Sequence, residues 1–210
     1  MLQELTYGRL ENEFYDKKPS ESDLVICVNN NQILVKRTEE FQVTYPTVAT
    51  VREWTGDKHW KAWGEKQFQY VFRMQDVDYY LWMGDAEEPA DENYHYEEIR
   101  QLSRYETKDI CFAACTAEHL FVWYRNNRFC GHCQTSTVHD YKERMLRCPA
   151  CGNMIFPKIS PAVIIAVTNG EKLLLSKYAG RAYTRYALIA GYTEIGETME
   201  ETVQREVMEE

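Results

Sequence analysis

Residues Gly191 to Glu210 read GYTEIGETMEETVQREVMEE, and this stretch decides the fold class of the C-terminal part of the chain. Five residues separate Gly191 from Glu197, and seven more lead to the segment REVMEE at 205–210. Thr198 followed three residues later by Glu201 is the pattern of a capping box, which predicts a helix from Met199 onward. The stretch therefore predicts a glycine-bearing loop that leads into an acidic helix.

Three glutamates of this helix, Glu206, Glu209 and Glu210, are related by steps of three and four residues, which places them on one face. Like charges there would destabilise an isolated helix, but carboxylate oxygens suit Mg²⁺ or Mn²⁺. Such ions neutralise a diphosphate and orient the attacking water, and one glutamate could act as base. The segment therefore predicts metal-dependent diphosphate hydrolysis.

A solvated acidic helix end is the alternative interpretation of these glutamates. It does not account for Gly191, Glu197 and Arg205 at fixed distances before them. We interpret these three residues as structural. An ion pair between Glu197 and Arg205 would hold the loop against the helix, and Gly191 with Gly196 would allow its tight backbone.

Two CxxC pairs separated by fourteen residues form the second strong pattern, made by Cys130, Cys133, Cys148 and Cys151. Two such turns place four thiolates around one tetrahedral Zn²⁺, with no open position for water. Redox pairs or disulfides would not account for the ribbon spacing. We therefore predict a structural zinc site, with His132 and His139 as surface residues.

Composition narrows the function classes. The chain has 210 residues, 44% hydrophobic content and a formal net charge of −9, which indicates a folded acidic protein and argues against broad nucleic-acid binding. The sequence contains neither a long apolar run nor a signal-peptide pattern. We therefore expect a cytoplasmic protein without a membrane partner.

Residues 1–125 read as a separate N-terminal domain. Residues 24–37 and 68–83 predict two hairpins, the second with its turn at Gln75 to Asp78, and residues 84–98 predict a loop. Apolar residues at helical spacing predict a helix over about 108–124, in which Cys111 and Cys115 are packed small residues rather than metal ligands. The cluster of Trp54, Trp60 and Trp63 is typical of core or dimer contacts.

Three strands are predicted after the ribbon. Residues 161–168 and 172–178 form a hairpin through Asn169-Gly170, and residues 186–191 form a third strand that leads into the glycine-bearing loop.

Three segments together carry a family resemblance: HLFVWYRNNRFCGHC at 119–133, CPACGNMIFPKISPAVIIAV at 148–167, and AGYTEIGETMEETVQREVMEE at 190–210. The chain resembles the zinc-ribbon Nudix hydrolases of the NADH pyrophosphatase (NAD⁺ diphosphatase) family, closely over about 110–210 and only in layout before that. The resemblance implies an α+β fold. A mixed α/β domain (1–125) and a four-cysteine zinc ribbon (126–156) would precede the N-terminal part of a Nudix α/β/α sandwich (157–210).

The resemblance also implies the activity. Such enzymes are acid-anhydride hydrolases that cleave NAD(H) to AMP and nicotinamide mononucleotide with Mg²⁺ or Mn²⁺, act as homodimers, and include members that remove NAD caps from RNA. Glu206, Glu209 and Glu210 match the metal-binding catalytic glutamates. Phe156, Ile164, Ala190 and Tyr192 match the nucleotide pocket, where Tyr192 replaces an expected phenylalanine that could stack equally well.

The chain stops inside the Nudix motif, before the SQPWPFPxS-like substrate signature of the family. We therefore expect this chain alone to be poorly stable and inactive. Alternative functions are hydrolysis of another dinucleotide or ADP-ribose, action on capped RNA held by Lys142, Arg144 and Arg147, and a zinc-ribbon binding module with a vestigial Nudix segment.

Overall fold

The computed structural model of the chain describes residues 9–39, 42–56, 66–85, 89, 91–105, 108–180 and 184–210. The chain divides into two units, Met1–Pro157 and Lys158–Glu210. The first unit contains both the predicted N-terminal domain and the predicted ribbon, so the three-domain division stays a prediction. No helix within the described ranges is long and apolar enough to cross a membrane.

The first unit contains two larger sheets. The strands of the first sheet, in spatial order, are β1 (Leu10–Glu11), β6 (Phe68–Met74), β7 (Val77–Trp82) and β2 (Leu24–Ile26). Its β2 and β7 run parallel, and its other pairs are antiparallel. In the second sheet β4 (Gln32–Glu39) pairs antiparallel with β3 (Val28–Asn29), β5 (Gln42–Thr44) and β8 (Tyr94–Glu98). The α+β class predicted from the sequence is confirmed.

The second predicted hairpin is confirmed by the β6–β7 pair, in which Met74 is opposite Val77. Its two turn residues, Gln75 and Asp76, have φ values of +52° and +61°. Two consecutive positive φ values give a turn whose twist matches that of the flanking strands.

The first predicted hairpin is confirmed only for its inner part, where Val28 pairs with Ile33. The preceding strand is interrupted at Cys27, and Leu24–Ile26 joins the other sheet beside β7. One apolar run therefore supplies strands to two sheets, which its local pattern does not indicate.

Alternate residues of the central strands enter two different apolar clusters. Val25, Tyr80 and Trp82 lie in a cluster with residues of helix α1 (Val48–Thr55), whereas Ile26 and Leu81 lie in a larger cluster with helix α3 (Lys108–Asn126). Strands that are buried on both faces read as continuous hydrophobic runs, as 24–28 and 79–83 do. The predicted helix over 108–124 is confirmed, and Cys111 is buried within it.

The prediction of a loop over 84–98 is wrong for its last five residues, which form β8 and pair with residues 32–36 of β4. The short helix α2 (Ile99–Leu102) follows directly. Tyr94 and Tyr96, at alternate positions of β8, are half-buried and pack against the apolar cluster that contains Val25 and Tyr80, whereas the other three side chains are polar. The apolar alternation is therefore limited to two residues, which is too short to predict a strand. In the predicted tryptophan cluster, Trp54 packs edge-on against Tyr94 with ring centroids 4.8 Å apart, and Trp60 and Trp63 lie outside the described residues.

The ribbon is a three-stranded antiparallel sheet of β9 (Val138–His139), β10 (Leu146–Arg147) and β11 (Met154–Ile155). It packs within the first unit, since Leu146 belongs to the same apolar cluster as α3. The prediction that His139 is a surface residue is wrong. Its ring stacks on Tyr124 at 5.0 Å, and its Nδ1 lies 3.0 Å from Oε1 of Gln69.

The second unit contains two strand pairs and a helix. Antiparallel partners are β12 (Ala162–Ile165) with β15 (Ile189–Tyr192), and β13 (Thr168–Asn169) with β14 (Lys172–Leu173). The hairpin predicted for 161–168 and 172–178 is confirmed only at its inner end, where Thr168 pairs with Leu173, because β12 pairs with β15 instead. Asn169 pairs with Lys172, so the turn lies one residue later than predicted, at Glu171 and Gly170, which has a φ of +60°. Helix α4 (Met199–Glu209) packs on β12 and β15.

His139 predicts a pH dependence of stability for the first unit. Burial lowers the pKa of His139 from 6.5 to about 4, with a further decrease from Lys66 and a small opposing effect of Asp16. Because the unfolded state binds the proton more readily, the stabilisation is complete above about pH 6.5 and is lost as the pH falls toward 4. We expect this group to account for up to about 3 kcal/mol of the decrease in unfolding free energy, measured by urea denaturation at several pH values.

His139→Phe keeps a ring against Tyr124 but cannot titrate, so its unfolding free energy should fall less between pH 6.5 and 4. The matched control is His119→Gln, an exposed position on α3. Equal pH dependence in His139→Phe and the unsubstituted protein would contradict the assignment.

Candidate functional site

The four ribbon cysteines bring their sulfur atoms together. All four Sγ atoms lie within 4.8 Å of one another, with 3.7 Å between Cys130 and Cys151 and 3.4 Å between Cys133 and Cys148. Tetrahedral coordination with Zn–S bonds of about 2.3 Å requires separations of about 3.8 Å. The cluster therefore fits a structural zinc ion, and four protein ligands leave no position for water.

The two CxxC turns have the same hydrogen-bond pattern. The carbonyl of Cys130 accepts from the N–H of Gln134 at 2.8 Å, and the carbonyl of Cys148 accepts from the N–H of Gly152 at 3.0 Å. In each turn the residue directly after the second cysteine has a left-handed backbone conformation. Gln134 has a φ of +63° and Gly152 a φ of +75°. The backbone hydrogen bonds of each turn therefore hold its two cysteines in position without a bound metal.

Backbone donors favour the thiolate form of the first pair. The N–H groups of Cys133 and His132 lower the pKa of Cys130 to about 6, and Asn153 adds a side-chain donor at 3.6 Å from its Sγ. The hydroxyl and N–H of Thr135 lower the pKa of Cys133. Thiolates are the form that binds zinc, so these donors support the metal site.

Helix α4 begins with the predicted capping box. The hydroxyl of Thr198 accepts from the N–H of Glu201 at 3.2 Å, and the carboxylate of Glu201 accepts from the N–H of Thr198 at 2.8 Å. This start fixes the rotation of the helix and therefore the direction in which its glutamates project.

The guanidinium of Arg205 joins the loop to the helix. It donates to both oxygens of Glu197, at 2.7 and 3.0 Å, and to the carbonyl of Tyr192 at 2.8 Å. The ion pair expected from the sequence is therefore present. The same side chain also donates to Glu206 at 2.7 Å and to Glu209 at 3.2 Å, two contacts that the sequence interpretation did not include.

Glu197 is the main acceptor in this network. Besides Arg205, it accepts from the N–H of Glu194 and from the hydroxyl of Thr202, each at 3.0 Å. The Arg205 bonds and then the Glu194 N–H lower the pKa of Glu197 to about 2, so it stays ionised. Thr202 is fully buried and was missed by the sequence interpretation, although its position four residues after Thr198 places it on the same helix face.

Gly191 is required for space rather than for backbone conformation. A Cβ at this position would overlap with the carboxylate of Glu206, which is only 9% exposed. Gly196 has a φ of +95°, so the expected backbone freedom applies there, whereas Gly191 does not have a left-handed φ. The glycine therefore lets Glu206 lie against the strand that precedes the loop.

The three glutamates are arranged differently from the cysteines. Among the described residues, the four cysteines have their ligand atoms close enough together to hold one metal ion. The oxygen atoms of Glu206, Glu209 and Glu210 are not grouped in this way. Glu206 and Glu209 share one nitrogen of Arg205, and Glu209 and Glu210 are exposed. Their oxygen donors suit Mg²⁺ or Mn²⁺ chemically, and Arg205 keeps two of them close.

The predicted pocket residues of the second unit share one exposed face. Ile164 is opposite Ala190 in the β12–β15 pair, and Tyr192 lies two residues further on the same side. Ile164 and Tyr192 are 74% and 69% exposed. Helix α4 packs on the same two strands, and the Glu206 carboxylate on that helix lies against Gly191. Phe156 belongs to the first unit and is exposed there.

The basic residues considered for RNA contact are mostly engaged. Arg144 donates to Oδ1 of Asn12 at 2.9 Å and to the carbonyl of Val71, and burial lowers its pKa. Arg147 pairs with Asp140 at 3.6 Å. The guanidinium of Arg144 therefore joins the ribbon to the rest of the first unit, and a phosphate-binding role for it stays a prediction.

Comparisons with known proteins agree with this geometry. The family model described as the NADH pyrophosphatase zinc ribbon domain matches residues 125–156, and that of the NUDIX domain matches residues 158–210. A protein of Pseudomonas aeruginosa named NAD-capped RNA hydrolase NudC is 40% identical over 94 residues, which cover 45% of this chain and 34% of that protein.

Two further proteins with the same name are similar. That of Pectobacterium carotovorum is 41% identical over 91 residues, covering 43% of this chain and 35% of its own length. The protein of Stutzerimonas stutzeri is 34% identical over 131 residues, which cover 62% of this chain and 48% of that protein. The chain spans about a third to a half of the length of the curated relatives it matches.

The left-handed residues of the two CxxC turns, Gly152 and Gln134, should respond differently in stability to substitution by alanine. Gly152→Ala should destabilise the zinc-loaded protein by about 1 kcal/mol, because nothing crowds the new Cβ and only the backbone strain counts. Gln134→Ala, the matched control, should change little because a side chain already occupies that position. Thermal unfolding with zinc present measures both, and equal shifts would contradict the prediction.

Gly191 predicts a selective loss of metal affinity. Gly191→Ala should displace the Glu206 carboxylate and weaken Mn²⁺ binding about tenfold or more, measured by titration calorimetry, while the unfolding temperature changes little because a side-chain end can move. Gly131→Ala, where the added Cβ meets open space, is the control. Unchanged Mn²⁺ affinity in Gly191→Ala would exclude Glu206 from the metal site.

Proposed function

We propose that the protein is a zinc-ribbon Nudix hydrolase of the NADH pyrophosphatase family and hydrolyses the central diphosphate of NAD(H) to NMN(H) and AMP. The proposal is supported by the family models that match residues 125–156 and 158–210. The observation that carries the proposal is the Arg205 network, which ties the loop carboxylate Glu197 and the helix carboxylates Glu206 and Glu209 to one guanidinium. A solvated acidic helix end would not require this arrangement.

In the proposed reaction Glu206, Glu209 and Glu210 hold Mg²⁺ or Mn²⁺, which neutralises the diphosphate and polarises the attacking water when bound. Glu206 is fixed in place by Arg205 and by the space above Gly191. Glu209 and Glu210 are exposed and can approach a substrate, and either can accept a proton from the water. Arg205 touches no reacting atom in this scheme and is a positioning residue.

The flat apolar face of β12 and β15 supports a base-binding role for Ile164, Ala190 and Tyr192. An exposed ring beside small and branched apolar side chains suits stacking of a nicotinamide or adenine. Phe156 of the first unit stays a proposed substrate-binding residue, because it corresponds to the family pattern. Hydrolysis of another dinucleotide or of ADP-ribose is the alternative for the same face and the same glutamates.

Removal of NAD caps from RNA is a second candidate substrate reaction. It is supported by the relatives, which are named NAD-capped RNA hydrolases. Arg144 is half-buried and hydrogen-bonded, and Arg147 is paired with Asp140. We therefore propose Lys142, which is exposed and lies near the Tyr141 ring, as the ribbon residue that contacts an RNA backbone.

The cellular location and the oligomeric state of the protein are also proposals. We propose a cytoplasmic location, which is supported by the seven cysteines: none is in a disulfide, and four of them form the zinc site. A homodimer is proposed from the family resemblance, and light scattering coupled to size exclusion tests it: a mass of one chain would exclude it.

Glu209→Gln tests the proposed chemistry. The substitution removes one anionic metal ligand while preserving size. NADH hydrolysis with Mn²⁺ by an extended chain that continues past Glu210 should therefore fall at least about a hundredfold in kcat, with NMNH and AMP followed by chromatography. Chelation by EDTA should abolish turnover, and added Mn²⁺ should restore it.

Glu200→Gln is the matched control, since Glu200 is an exposed glutamate in the first turn of the same helix. Equal turnover in Glu209→Gln and Glu200→Gln would rule out the metal-hydrolysis mechanism. No turnover of any dinucleotide, together with intact zinc content, would favour the zinc-ribbon binding module instead.

A further inference from the structure

The buried side of helix α4 is polar. The two buried residues of this helix are Thr202 and Glu206, which lie one turn apart, and Thr202 is fully buried. A helix that packs on a sheet usually places apolar side chains at such positions, because their burial stabilises the fold. A hydroxyl and a carboxylate at these positions therefore indicate a role in the neighbouring site rather than in the packing of the helix.

The hydroxyl of Thr202 has two acceptors within reach. It lies 3.0 Å from Oε2 of Glu197 and 3.0 Å from the carbonyl oxygen of Thr198. That carbonyl already accepts the N–H of Thr202 at 3.0 Å, as the helix requires. Glu197 is an ionised carboxylate, and such an acceptor makes a stronger hydrogen bond than a neutral carbonyl does. The single hydroxyl proton of Thr202 is therefore directed to Glu197.

Glu197 in turn determines the direction of the Arg205 guanidinium. Its Oε1 accepts from Nε of Arg205 at 2.7 Å, and its Oε2 accepts from Nη2 at 3.0 Å. Because the guanidinium is planar and rigid, two bonds to one carboxylate fix the position of the remaining nitrogen. That nitrogen, Nη1, donates to Glu206 at 2.7 Å and to Glu209 at 3.2 Å. A change in the orientation of the Glu197 carboxylate therefore moves the donor that holds both helix glutamates.

We infer that Thr202 is a positioning residue of the glutamate site. Its hydroxyl orients Glu197, Glu197 orients Arg205, and Arg205 holds Glu206 and Glu209 in place for the metal ions. Thr202 touches neither metal nor substrate in this scheme. The kinetic part of the inference rests on the proposed hydrolysis, whereas the orientation of Arg205 and the affinity for metal are measured without a substrate.

A role in packing and a role in positioning predict opposite effects of two substitutions. Thr202→Val keeps the branched shape, and Glu197 keeps the N–H of Glu194 and the Arg205 guanidinium as donors, so no buried group loses its only partner. Thr202→Ser keeps the hydroxyl and loses a buried methyl group, which destabilises the fold. Packing alone therefore predicts that valine is tolerated better than serine, whereas positioning predicts that serine preserves the site and valine does not.

The Arg205 guanidinium supplies a measurement that does not depend on turnover. In the zinc-loaded protein, rotation about its Nε–Cζ bond, followed by NMR exchange of the two Nη nitrogens, should be at least about threefold faster in Thr202→Val. The affinity for Mn²⁺, measured by titration calorimetry, should fall about tenfold in the same variant. Thr202→Ser should match the unsubstituted protein in both measurements, although its unfolding temperature is lower. Gln204→Ala, at an exposed position of the same helix, is the matched control and should change neither.

Hydrolysis of NADH by an extended chain that continues past Glu210 supplies the kinetic measurement. In Thr202→Val, kcat should fall about tenfold while KM stays within about twofold, because the hydroxyl does not touch the substrate. Thr202→Ser should restore kcat. Thr202→Ala and Thr202→Ser differ only in the hydroxyl, so this second pair gives the same comparison if the valine variant does not fold.

Two outcomes would overturn the positioning role: unchanged guanidinium rotation and Mn²⁺ affinity in Thr202→Val, or a Thr202→Ser variant that is impaired as much as Thr202→Ala. Failure of the proposed function would look different. An extended chain that does not hydrolyse NADH, but whose Arg205 rotation and Mn²⁺ affinity follow the hydroxyl, would contradict the proposed hydrolysis and support the positioning role.

Discussion

The ion pairs around Arg205 are the interaction on which the second unit depends. One guanidinium contacts Glu197 at the end of the loop, Glu206 and Glu209 on the helix, and the carbonyl of Tyr192 at the end of β15. Three carboxylates around one cation leave an excess of negative charge, which an isolated protein would avoid and which divalent cations would offset. Arg205 therefore both stabilises the loop and holds the carboxylates together in a site with a net negative charge.

Those parts of the fold and of the sites whose geometry is local could be predicted from the sequence. The capping box, the CxxC turns, the Gln75-Asp76 turn and the Glu197–Arg205 pair each depend on residues close in sequence or on one helix face. Strand β8 and the burial of His139 could not be predicted in this way. Tyr94–Glu98 is a strand because β4 lies beside it, and His139 is half-buried because its ring stacks on Tyr124 and lies against Gln69, seventy residues earlier.

Gly191 illustrates a prediction that was correct in position and incomplete in cause. The motif spacing selects a glycine there, and conformational freedom is the usual explanation. The structure instead gives a steric reason, since Glu206 occupies the place of a side chain. A pattern of residue types can identify such a position but does not distinguish a requirement for φ from a requirement for space, because both select the same residue.

The hydrogen bonds of the half-buried Arg144 have a consequence for how this ribbon can evolve. Helix α3 runs directly into the first cysteine turn, and Arg144, His139 and Leu146 all find their partners in the preceding sheet and helix. Exchange of the ribbon for that of another protein by recombination near residue 125 would remove the half-buried side chains of Arg144 and His139 from their hydrogen-bond partners in the preceding part of the chain. The ribbon is therefore inherited together with the sheet on which it rests, and crossovers that preserve folding lie outside this pair.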